Sequence, residues 1–410
     1  MEIAPKGLRL HIGIFGRRNV GKSSFLNAVT GQHVAIVSET AGTTTDPVEK
    51  AMELLPIGPV LFIDTAGIDD IGELGEKRVE KTRKVIERTD VAVLVTQSDC
   101  WDQYETGLLD TFRTRDIPVI VVFNKNDLGS PDPTLVAKLQ AQGLRTLQTC
   151  SLTNSSAGDF KRALIDIVPA SFLEPPAIVG DLVGPGGMVV LVVPIDLEAP
   201  KGRLIMPQVQ TIRDILDSDA YCAVVKEREL KDLLDNLKRK PDLVVTDSQA
   251  FLKVAGDTPD DVPMTSFSIL FARFKGDLQT LAEGATAIDR LKPGDKILIA
   301  EACAHHPIGE DIGRVKIPRW LTQYVGGKLE VVINSGQDFP DNLADFALVV
   351  HCGSCTFNRR QLLTRIMKCK QAGVPITNYG LCVAYSLGIF DRALAPFQNV
   401  HLKKHSTCAR

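Results

Sequence analysis

No stretch of the 410-residue sequence approaches the about 20 consecutive apolar residues that a membrane-spanning helix needs. The N-terminal residues, MEIAPKGLRL, also lack the features of a secretory signal peptide. A net charge of −3 and a pI near 6.2 leave no excess of positive charge, which argues against wholesale nucleic-acid binding, although not against a local basic patch. We therefore expect a cytoplasmic protein, with roughly two to four domains in a chain of this length.

The nine cysteines are an odd number in a long chain without secretory features, so a disulfide framework is not expected. Six of them stand singly in apolar, helical or C-terminal surroundings: Cys100, Cys150, Cys222, Cys369, Cys382 and Cys408. The remaining three thiols lie in sequences that favour metal binding, as argued below.

Residues 16–23, GRRNVGKS, fit the phosphate-binding pattern G-x-x-x-x-G-K-[ST]. The stretch follows an apolar run at Leu8–Phe15 that predicts a buried strand, and it leads into a predicted helix at Ser23–Val29. A glycine turn at a helix N-terminus directs several backbone N–H groups towards one anion. Lys22 is expected to reach the β- and γ-phosphates, and the Ser23 hydroxyl to hold Mg²⁺. A chance glycine turn does not account for both flanks, so we predict a nucleotide site.

Two further segments fit a nucleotide and its metal ion. Residues 39–46, ETAGTTTD, are suited to a mobile loop whose threonine completes the Mg²⁺ shell, and we favour Thr44 for this role. Val60–Ile63 predicts a buried strand that ends in the sequence DTAG. Asp64 is expected to contact Mg²⁺ through water, and Gly67 to let a backbone N–H approach the γ-phosphate.

The base is predicted by a fourth segment. Ile117–Phe123 predicts a strand that ends in NKND, the N-K-x-D pattern of guanine recognition. Asp127 can accept hydrogen bonds from the guanine ring N–H and exocyclic amine, whereas adenine offers neither donor. A buried polar site of this type rejects the wrong base by as much as ~10⁴–10⁵. The nucleotide is therefore GTP or GDP. Residues 149–153, TCSLT, match the next guanine-contacting loop poorly and stay unassigned.

Hydrolysis requires a group that the sequence does not supply in the usual place. Ile68 follows the DTAG sequence, where many signalling GTPases have a glutamine that orients the attacking water. The side-chain carbonyl of Asn19 is suited to hold K⁺ beside the phosphates, although Asn19 can also be a simple turn residue. The predicted nucleotide-binding residues are Asn19, Val20, Gly21, Lys22, Ser23, Ser24, Thr44, Asp64, Gly67, Asn124, Lys125 and Asp127, with Ser23, Thr44 and Asp64 for magnesium and Asn19 for potassium.

The four motifs GRRNVGKS, GTTTD, DTAGI and NKND together resemble the GTPases of the TrmE–Era–EngA type, over residues 10–170. Strand–helix alternation predicts an α/β fold, a P-loop GTPase domain with a doubly wound parallel sheet over residues 1–172. A Pro- and Gly-rich segment at Leu173–Pro185 predicts a linker. Residues 173–262 then predict a small α/β domain without catalytic residues, which suggests docking or dimerisation. Residues 263–410 predict a third α/β domain, with strands at Lys296–Ile299, Leu329–Ile333 and Phe346–Val350.

Two strands of the third domain end in cysteine-containing sequences. Cys303 follows one, and Cys352 and Cys355 follow another, so the three thiols are expected at one edge of a parallel sheet. Three cysteines suit a [4Fe–4S] cluster. The same three with His305 suit a closed zinc site, and spacing does not separate the two metals. Buried structural thiols and a thioredoxin-like redox pair have less support.

A GTPase domain joined to the sequences CAH at 303–305 and HCGSC at 351–355 resembles the HydF family, the maturation GTPases of [FeFe]-hydrogenase. The segment DLEAPKGR at 196–203 supports the resemblance, which covers essentially the whole chain. It implies a homodimeric scaffold or carrier that holds a [4Fe–4S] cluster through Cys303, Cys352 and Cys355. It further implies that the protein delivers a two-iron precursor to apo-[FeFe]-hydrogenase, with the radical maturases HydE and HydG as partners.

One iron of such a cluster would lack a thiolate ligand from the three cysteines. The candidates for its fourth ligand are His305, His351, Asp196, Glu301 and water. Other functions remain open: an RNA-modification or ribosome-assembly GTPase with a structural zinc, or a GTP-dependent metal chaperone for another enzyme. The acidic pI and the lack of a recognisable RNA-binding module weigh against the first.

Overall fold

The computed structural model describes residues 5–31, 47–65, 73–150, 157–173, 176–194, 204–302 and 311–397. The chain divides into two compact units, residues 1–175 and residues 176–410. Among the described residues, no helix combines the length and the apolar character that crossing a membrane requires. Seven residues named in the sequence analysis lie outside the described ranges: Thr44, Gly67, Ile68, Asp196, Cys303, His305 and Cys408.

The first unit is built on a six-stranded sheet with the strand order β2-β3-β1-β4-β5-β6. β1, β4 and β5 are buried along almost their whole length, as expected for apolar runs covered on both faces. The strands are β1 Leu10–Phe15, β2 Val48–Leu54, β3 Gly58–Asp64, β4 Val91–Gln97, β5 Val119–Asn124 and β6 Arg145–Gln148. The helices are α1 Lys22–Thr30, α2 Glu73–Ile86, α3 Gln103–Arg113, α4 Pro133–Ala141, α5 Ala157–Ile167 and α6 Ala170–Leu173, after a 3₁₀ turn at Lys6–Leu8.

The sheet is parallel, as predicted, except at one edge. β2 pairs with β3 in the antiparallel direction, while the other neighbouring strands are parallel. The sequence of β2, VEKAMEL, carries three charged residues, and its residues alternate between half-buried and exposed. Charged side chains on an edge strand hinder pairing with another chain. A strand interrupted by charged residues in this way lacks the apolar run by which the other strands are predicted.

Local signals explain where the helices of this unit begin and end. α1 ends at Gly31, which has a φ of +63° and closes the helix in the left-handed conformation. The Asp102 side chain caps α3 by accepting a hydrogen bond from the backbone N–H of Tyr104, and the Glu105 carboxylate accepts one from the backbone N–H of Asp102, which completes a capping box. α4 starts with Pro133 after an Asp132 cap.

The second unit contains two four-stranded sheets. The first has the order β10-β9-β7-β8, and all its pairs are parallel. Its strands are β7 Met188–Val192, β8 Tyr221–Val225, β9 Leu243–Thr246 and β10 Met264–Ser266. Its helices are α7 Gly180–Val183, α8 Met206–Asp217, α9 Leu230–Asn236 and α10 Phe251–Asp257, with a 3₁₀ turn at Ser248–Ala250.

The second sheet of this unit has the order β12-β11-β13-β14 and is also parallel. Its strands are β11 Lys296–Glu301, β12 Glu330–Ser335, β13 Leu348–His351 and β14 Ile376–Asn378. The helices are α11 Phe267–Lys275, α12 Leu278–Ala285, α13 Ile317–Val325, α14 Arg359–Gln371, α15 Tyr379–Ser386 and α16 Phe390–Leu394. Short 3₁₀ turns occupy Thr286–Arg290 and Leu343–Asp345, and a π-helical turn occupies Ile312–Lys316. One continuous hydrophobic core joins both sheets, from Ile178 to Phe397.

Candidate functional site

The predicted phosphate loop lies between β1 and α1. Gly16 and Gly21 have φ values of +144° and +92°. A Cβ atom at Gly16 would lie 2.1 Å from the carbonyl oxygen of Val95, and one at Gly21 would lie 2.3 Å from Nδ2 of Asn124. Both positions therefore require glycine. Lys22 is buried, and its Nζ donates to the carbonyl oxygens of Gly16 and Arg17 over 2.9 and 2.6 Å, which holds the ammonium group inside the loop.

Two of the residues predicted to hold Mg²⁺ are in contact. The Ser23 hydroxyl donates to Oδ2 of Asp64 over 2.6 Å. Asp64 is buried at the end of β3, and its Oδ1 has no hydrogen-bond partner among the described residues. Burial raises the pKa of this carboxyl group, while Ser23 and Lys22 act in the opposite direction. Hydroxyl and carboxylate oxygens side by side, one of them without a partner, suit Mg²⁺, which prefers oxygen ligands.

The predicted guanine-recognition loop begins where β5 ends. Nδ2 of Asn124 donates to the carbonyl oxygen of Val20 over 2.9 Å, and its Oδ1 accepts from the Thr149 hydroxyl over 3.2 Å. The backbone N–H of Asn126 donates to the Thr149 carbonyl over 3.1 Å. Asn124 therefore joins three segments: the phosphate loop, its own loop and the segment after β6.

Asp127 is exposed, as expected for a residue that meets a nucleobase. Its Oδ1 accepts a hydrogen bond from the thiol of Cys150 over 3.3 Å. The sequence did not single out Cys150, because TCSLT matches the guanine-contacting pattern poorly. The structure nevertheless brings the first part of that segment, Thr149 and Cys150, to the N-K-x-D loop.

An ion pair that the sequence analysis missed anchors the phosphate loop to α3. Nε of Arg17 donates to Oε1 of Glu105 over 2.8 Å, and Glu105 is fully buried. The hydrogen bond with Glu105 raises the pKa of the Arg17 guanidinium, which also lies 4.8 Å from the ring centre of Tyr104. Asn19, two residues further along the loop, is exposed and has a φ of +60°. Arg17 occupies one of the x positions of the pattern G-x-x-x-x-G-K-[ST], where any residue is allowed. The motif therefore could not predict the ion pair between Arg17 and Glu105.

The C-x-x-C sequence lies at the carboxyl end of β13, next to the end of β11. Ala300 and His351 are paired across the two strands, and the Cys352 N–H donates to the Ala300 carbonyl over 2.9 Å. The backbone N–H of Ala302 donates to the sulfur of Cys352 over 3.1 Å. Ala302 is the last described residue before Cys303. The two strand ends predicted to carry cysteines therefore do lie side by side.

The two described cysteines of this loop are partly exposed and form no disulfide. Burial raises the pKa of the Cys352 thiol to about 11, against the effect of its hydrogen bonds from Ser354 and Ala302. Within the described ranges, no group of three or more His, Cys, Asp or Glu side chains is placed to hold a metal ion. Two thiols lie on one loop, and one of them accepts a hydrogen bond from a backbone N–H. Such a pair of sulfur ligands fits part of an iron–sulfur site.

Lys275, the last residue of α11, lies beneath this loop and was not noticed in the sequence. It is only 2% exposed. Its Nζ donates to the carbonyl oxygens of Ser354, Cys355 and Phe357 over 3.1, 3.2 and 2.8 Å. Burial lowers the pKa of Lys275 to about 8, while the nearby cysteines act to raise it. A lysine that ends an amphipathic helix gives no sequence signal of such a role.

His351, a candidate for the fourth cluster ligand, is fully buried and uses both ring nitrogens. Its Nδ1 lies 2.9 Å from the carbonyl oxygen of Cys352, and its Nε2 lies 3.0 Å from a guanidinium nitrogen of Arg365. Because Arg365 can only donate, Nε2 accepts and Nδ1 carries the proton. Burial and the charge of Arg365 lower the pKa of His351 to about 3, so the ring is neutral.

Glu301, another candidate, is 2% exposed and binds Arg314 through both carboxylate oxygens, over 3.1 and 2.7 Å. The Ser335 hydroxyl donates to the same carboxylate over 2.6 Å. Ligation of a metal by Glu301 or by His351 would require these bonds to break. The other two candidate side chains, His305 and Asp196, lie outside the described residues.

Family models match three consecutive parts of the chain. Residues 11–125 match the 50S ribosome-binding GTPase family. Residues 178–276 match the hydrogen maturase F dimerization domain, and residues 279–396 match the hydrogen maturase F tetramerization domain. The last two matches together include more than half of the chain. The chain belongs to the hydrogen maturase F family. The family, HydF, and the α/β fold class expected from the sequence are thereby confirmed, whereas a tetramerization domain was not anticipated.

Curated relatives of the hydrogen maturase F chain resemble only part of it. GTPase Der of Wolinella succinogenes is 40% identical over 183 residues, which cover 42% of this chain and 37% of the relative. The tRNA modification GTPase MnmE of a Synechococcus species is 41% identical over 141 residues, which cover 32% of this chain and 29% of the relative. This chain thus spans less than half of the length of these relatives.

Solved structures of GTPases also align with the chain. Aquifex aeolicus Era bound to GDP·AlF₄⁻ is 20% identical, with a TM-score of 0.36, over 60% of this chain and 97% of Era. The G domain of the T. maritima FeoB iron transporter is 21% identical, with a TM-score of 0.31, over 38% of this chain and 98% of that domain.

Proposed function

We propose that this member of the hydrogen maturase F family is a GTP-hydrolysing scaffold that holds a [4Fe–4S] cluster and assembles or delivers the two-iron precursor to apo-[FeFe]-hydrogenase. The observation that carries the proposal is the placement of Cys352 and Cys355 beside the strand end that precedes Cys303, in a chain whose residues 178–396 match hydrogen maturase F domains. The domain division proposed for this function is a GTPase domain at 1–172, a dimerisation domain at 173–262 and a cluster domain at 263–410.

In the GTPase domain, each proposed role follows from a side chain and its position. Lys22, held inside the phosphate loop, would leave its two carbonyl partners to bind the β- and γ-phosphates of GTP. Asp127 would accept hydrogen bonds from guanine. Ser23 and Asp64, with Thr44, would hold Mg²⁺, which neutralises phosphate charge when bound. Asn19 would bind K⁺, whose charge would assist hydrolysis in place of a water-orienting side chain.

In the cluster domain, Cys303, Cys352 and Cys355 would be the ligands. When bound, the cluster would supply an iron with an exchangeable coordination position, which is what a carrier of a metal fragment needs. The protein would hold the cysteine ligands in the positions that the cluster requires. The Ala302 N–H orients the sulfur of Cys352, and the β11 and β13 ends set the distance between the two cysteine-bearing segments.

The partners proposed for the scaffold are a second copy of the chain, the radical maturases HydE and HydG, and apo-hydrogenase, all in the cytoplasm. The family models that match residues 178–276 and 279–396 are described as dimerization and tetramerization domains, which supports self-association. Delivery would require the cysteine loop to be reachable, and both described cysteines are partly exposed.

The test is the metal content of anaerobically purified protein. Wild type should contain iron at the stoichiometry of one [4Fe–4S] cluster per chain, with the matching visible and EPR spectra. The variants Cys303→Ser, Cys352→Ser and Cys355→Ser should each lose most of the iron. Cys382→Ser is the matched control, because Cys382 is buried in the core of the same unit.

The iron-loaded wild type should also activate apo-hydrogenase, and the three ligand variants should not. Zinc in place of iron, lost in the same three variants, would instead favour an RNA-modification or ribosome-assembly GTPase with a structural zinc site. Full iron content in a folded Cys352→Ser protein would reject the ligand set.

A further inference from the structure

Lys275 is a buried cation placed against the cysteine loop. Its side chain ends α11, lies within the core of the second unit and is 2% exposed. No carboxylate forms an ion pair with it among the described residues, and the acidic groups that influence it are the thiols of Cys355 and Cys352. A buried ammonium group is costly unless hydrogen bonds and a nearby negative charge compensate it.

The hydrogen bonds of Lys275 all go to one segment. Nζ donates to the carbonyl oxygens of Ser354, Cys355 and Phe357, over distances of 2.8 to 3.2 Å. Three acceptors use three N–H groups, and a lysine has three only as the ammonium ion. Ser354, the first residue of this segment, has a φ of +55°, a conformation that a non-glycine residue adopts only when its surroundings impose it. The lysine therefore defines the path of the chain between the two cysteines.

The carbonyl groups satisfy the hydrogen bonds of the ammonium but not its full charge. The compensating anion is absent from the described protein groups, unless the two cysteines ionise. Thiolates bound to an iron–sulfur cluster form an anionic unit, and nearby charge and hydrogen bonding set its reduction potential. The charge of Lys275, its position against the cysteine loop and the lack of a carboxylate partner among the described residues thus agree on one role.

We propose that Lys275 is a positioning residue for the cluster site, which holds the Cys352–Cys355 loop in shape and compensates the negative charge of the metal-bound thiolates. This inference rests on the proposed cluster-binding function. It extends the site to a residue on a different element, α11, that no cysteine motif includes. A lysine that only held the loop in shape would affect how firmly the cluster is retained but not the reduction potential of the cluster.

The test compares Lys275→Met and Lys275→Gln with wild type in anaerobically purified full-length protein. Methionine removes the charge and all three donors at similar volume, while glutamine removes the charge and keeps an amide donor. Lys370→Met is the matched control, because Lys370 belongs to the same unit but is half-exposed and pairs with Asp277 over 3.3 Å. The readouts are iron retention against a chelator and an EPR-monitored reductive titration.

Both variants should have a lower reduction potential than wild type, because loss of a positive charge disfavours the added electron. Lys275→Met should also lose iron to the chelator more readily, roughly 10–100-fold in affinity, as for other groups that orient metal ligands. The control should match wild type in both readouts.

A wild-type potential in Lys275 variants that retain iron would overturn the charge-compensating role. Wild-type retention in Lys275→Met would overturn the positioning role. A wild type that binds no iron at all would reject the cluster-binding function and this inference with it, so that the two failures are distinct. If Lys275→Met does not fold, the reduction potential of Lys275→Gln alone tests whether Lys275 compensates the charge of the cluster.

Discussion

The side-chain amide of Asn124 donates to the carbonyl oxygen of Val20 over 2.9 Å and so ties the guanine-recognition loop to the phosphate loop. Asn124 is buried, and the Thr149 hydroxyl fixes its other amide atom. The two ends of the nucleotide are thus predicted to bind to loops that one side chain holds together.

Asn124→Ala should weaken GDP binding although it removes no predicted contact with the phosphates. A buried carbonyl left without its donor costs about 1–3 kcal/mol, which corresponds to roughly 5–150-fold in affinity if the loop is ordered only in the complex. Titration with a fluorescent GDP analogue measures the effect. Gln140→Ala is the control, because its amide makes an exposed bond to Thr146 in the same unit. Equal GDP affinities in Asn124→Ala and Gln140→Ala would contradict a role for the hydrogen bond between Asn124 and Val20 in nucleotide binding.

Sequence patterns predicted the strands best where the strands are short, apolar and bounded by turn residues. The strands predicted at Lys296–Ile299 and Leu329–Ile333 lie at Lys296–Glu301 and Glu330–Ser335 in the structure. β10 and β14 were missed, because three residues such as Met264–Ser266 carry no periodicity and are strands only through their partners.

In the candidate sites, too, the sequence predicts residues that a local motif contains and misses residues that reach the site only through the fold. Motif residues such as Lys22 and Asp64 could be predicted because their chemistry requires fixed spacing along the chain. Lys275 and Glu105 could not, because each meets its partners across distant parts of the sequence. The topology of the fold brings Lys275 and Glu105 to the sites, and no sequence motif predicts that topology.

Asp127→Asn should exchange guanine for xanthine specificity. The carboxylate would accept two hydrogen bonds from guanine, and an amide at this position would instead donate to the ring carbonyl that xanthine carries. GTP turnover should fall by several orders of magnitude, in line with ~10⁴-fold discrimination at buried polar sites, and turnover of xanthosine triphosphate should appear. Steady-state phosphate release with each nucleotide checks this. Cys150→Ser, which keeps a donor to Asp127, should retain GTP specificity, and unchanged GTP turnover in Asp127→Asn would reject the assignment.

Hydrolysis should be faster in KCl than in NaCl at equal ionic strength. The prediction rests on Ile68, which cannot orient water, and on Asn19, which is exposed in the phosphate loop. Asn19→Ala should remove the difference between the two salts. Equal wild-type rates in both salts would argue against a potassium site.

Acid should destabilise the first unit through His11. His11 is buried in β1, and burial lowers its pKa to about 4, with a further contribution from the charge of Arg88. The charged groups that influence it are Arg88, Lys6 and Glu49. Because the unfolded chain binds the proton near pH 6.5 and the folded chain only near pH 4, stability falls as the pH drops through this interval and levels off below it.

Between pH 7 and pH 5, His11 should account for a loss of about 2 kcal/mol in the free energy of unfolding. His11→Gln keeps a donor for the carbonyl oxygen of Lys6, which the His11 ring contacts over 3.0 Å, but cannot titrate. Denaturant unfolding at the two pH values should show a smaller loss in this variant. The same loss in both proteins would exclude His11 as the source.

The fourth coordination position of the proposed cluster should accept external ligands. Of the candidate side chains, the two that the structure describes are engaged elsewhere: His351 with Arg365, and Glu301 with Arg314. An iron without a thiolate is held by weaker ligands, which imidazole or cyanide can replace. EPR spectra of the reduced wild type should therefore change when either is added. The change should persist in His351→Gln protein that retains its iron, because His351 Nε2 is already occupied by a guanidinium group. If instead only the variant responds, His351 is a firm ligand, the site is closed in the wild type, and the physical basis of the carrier role is lost.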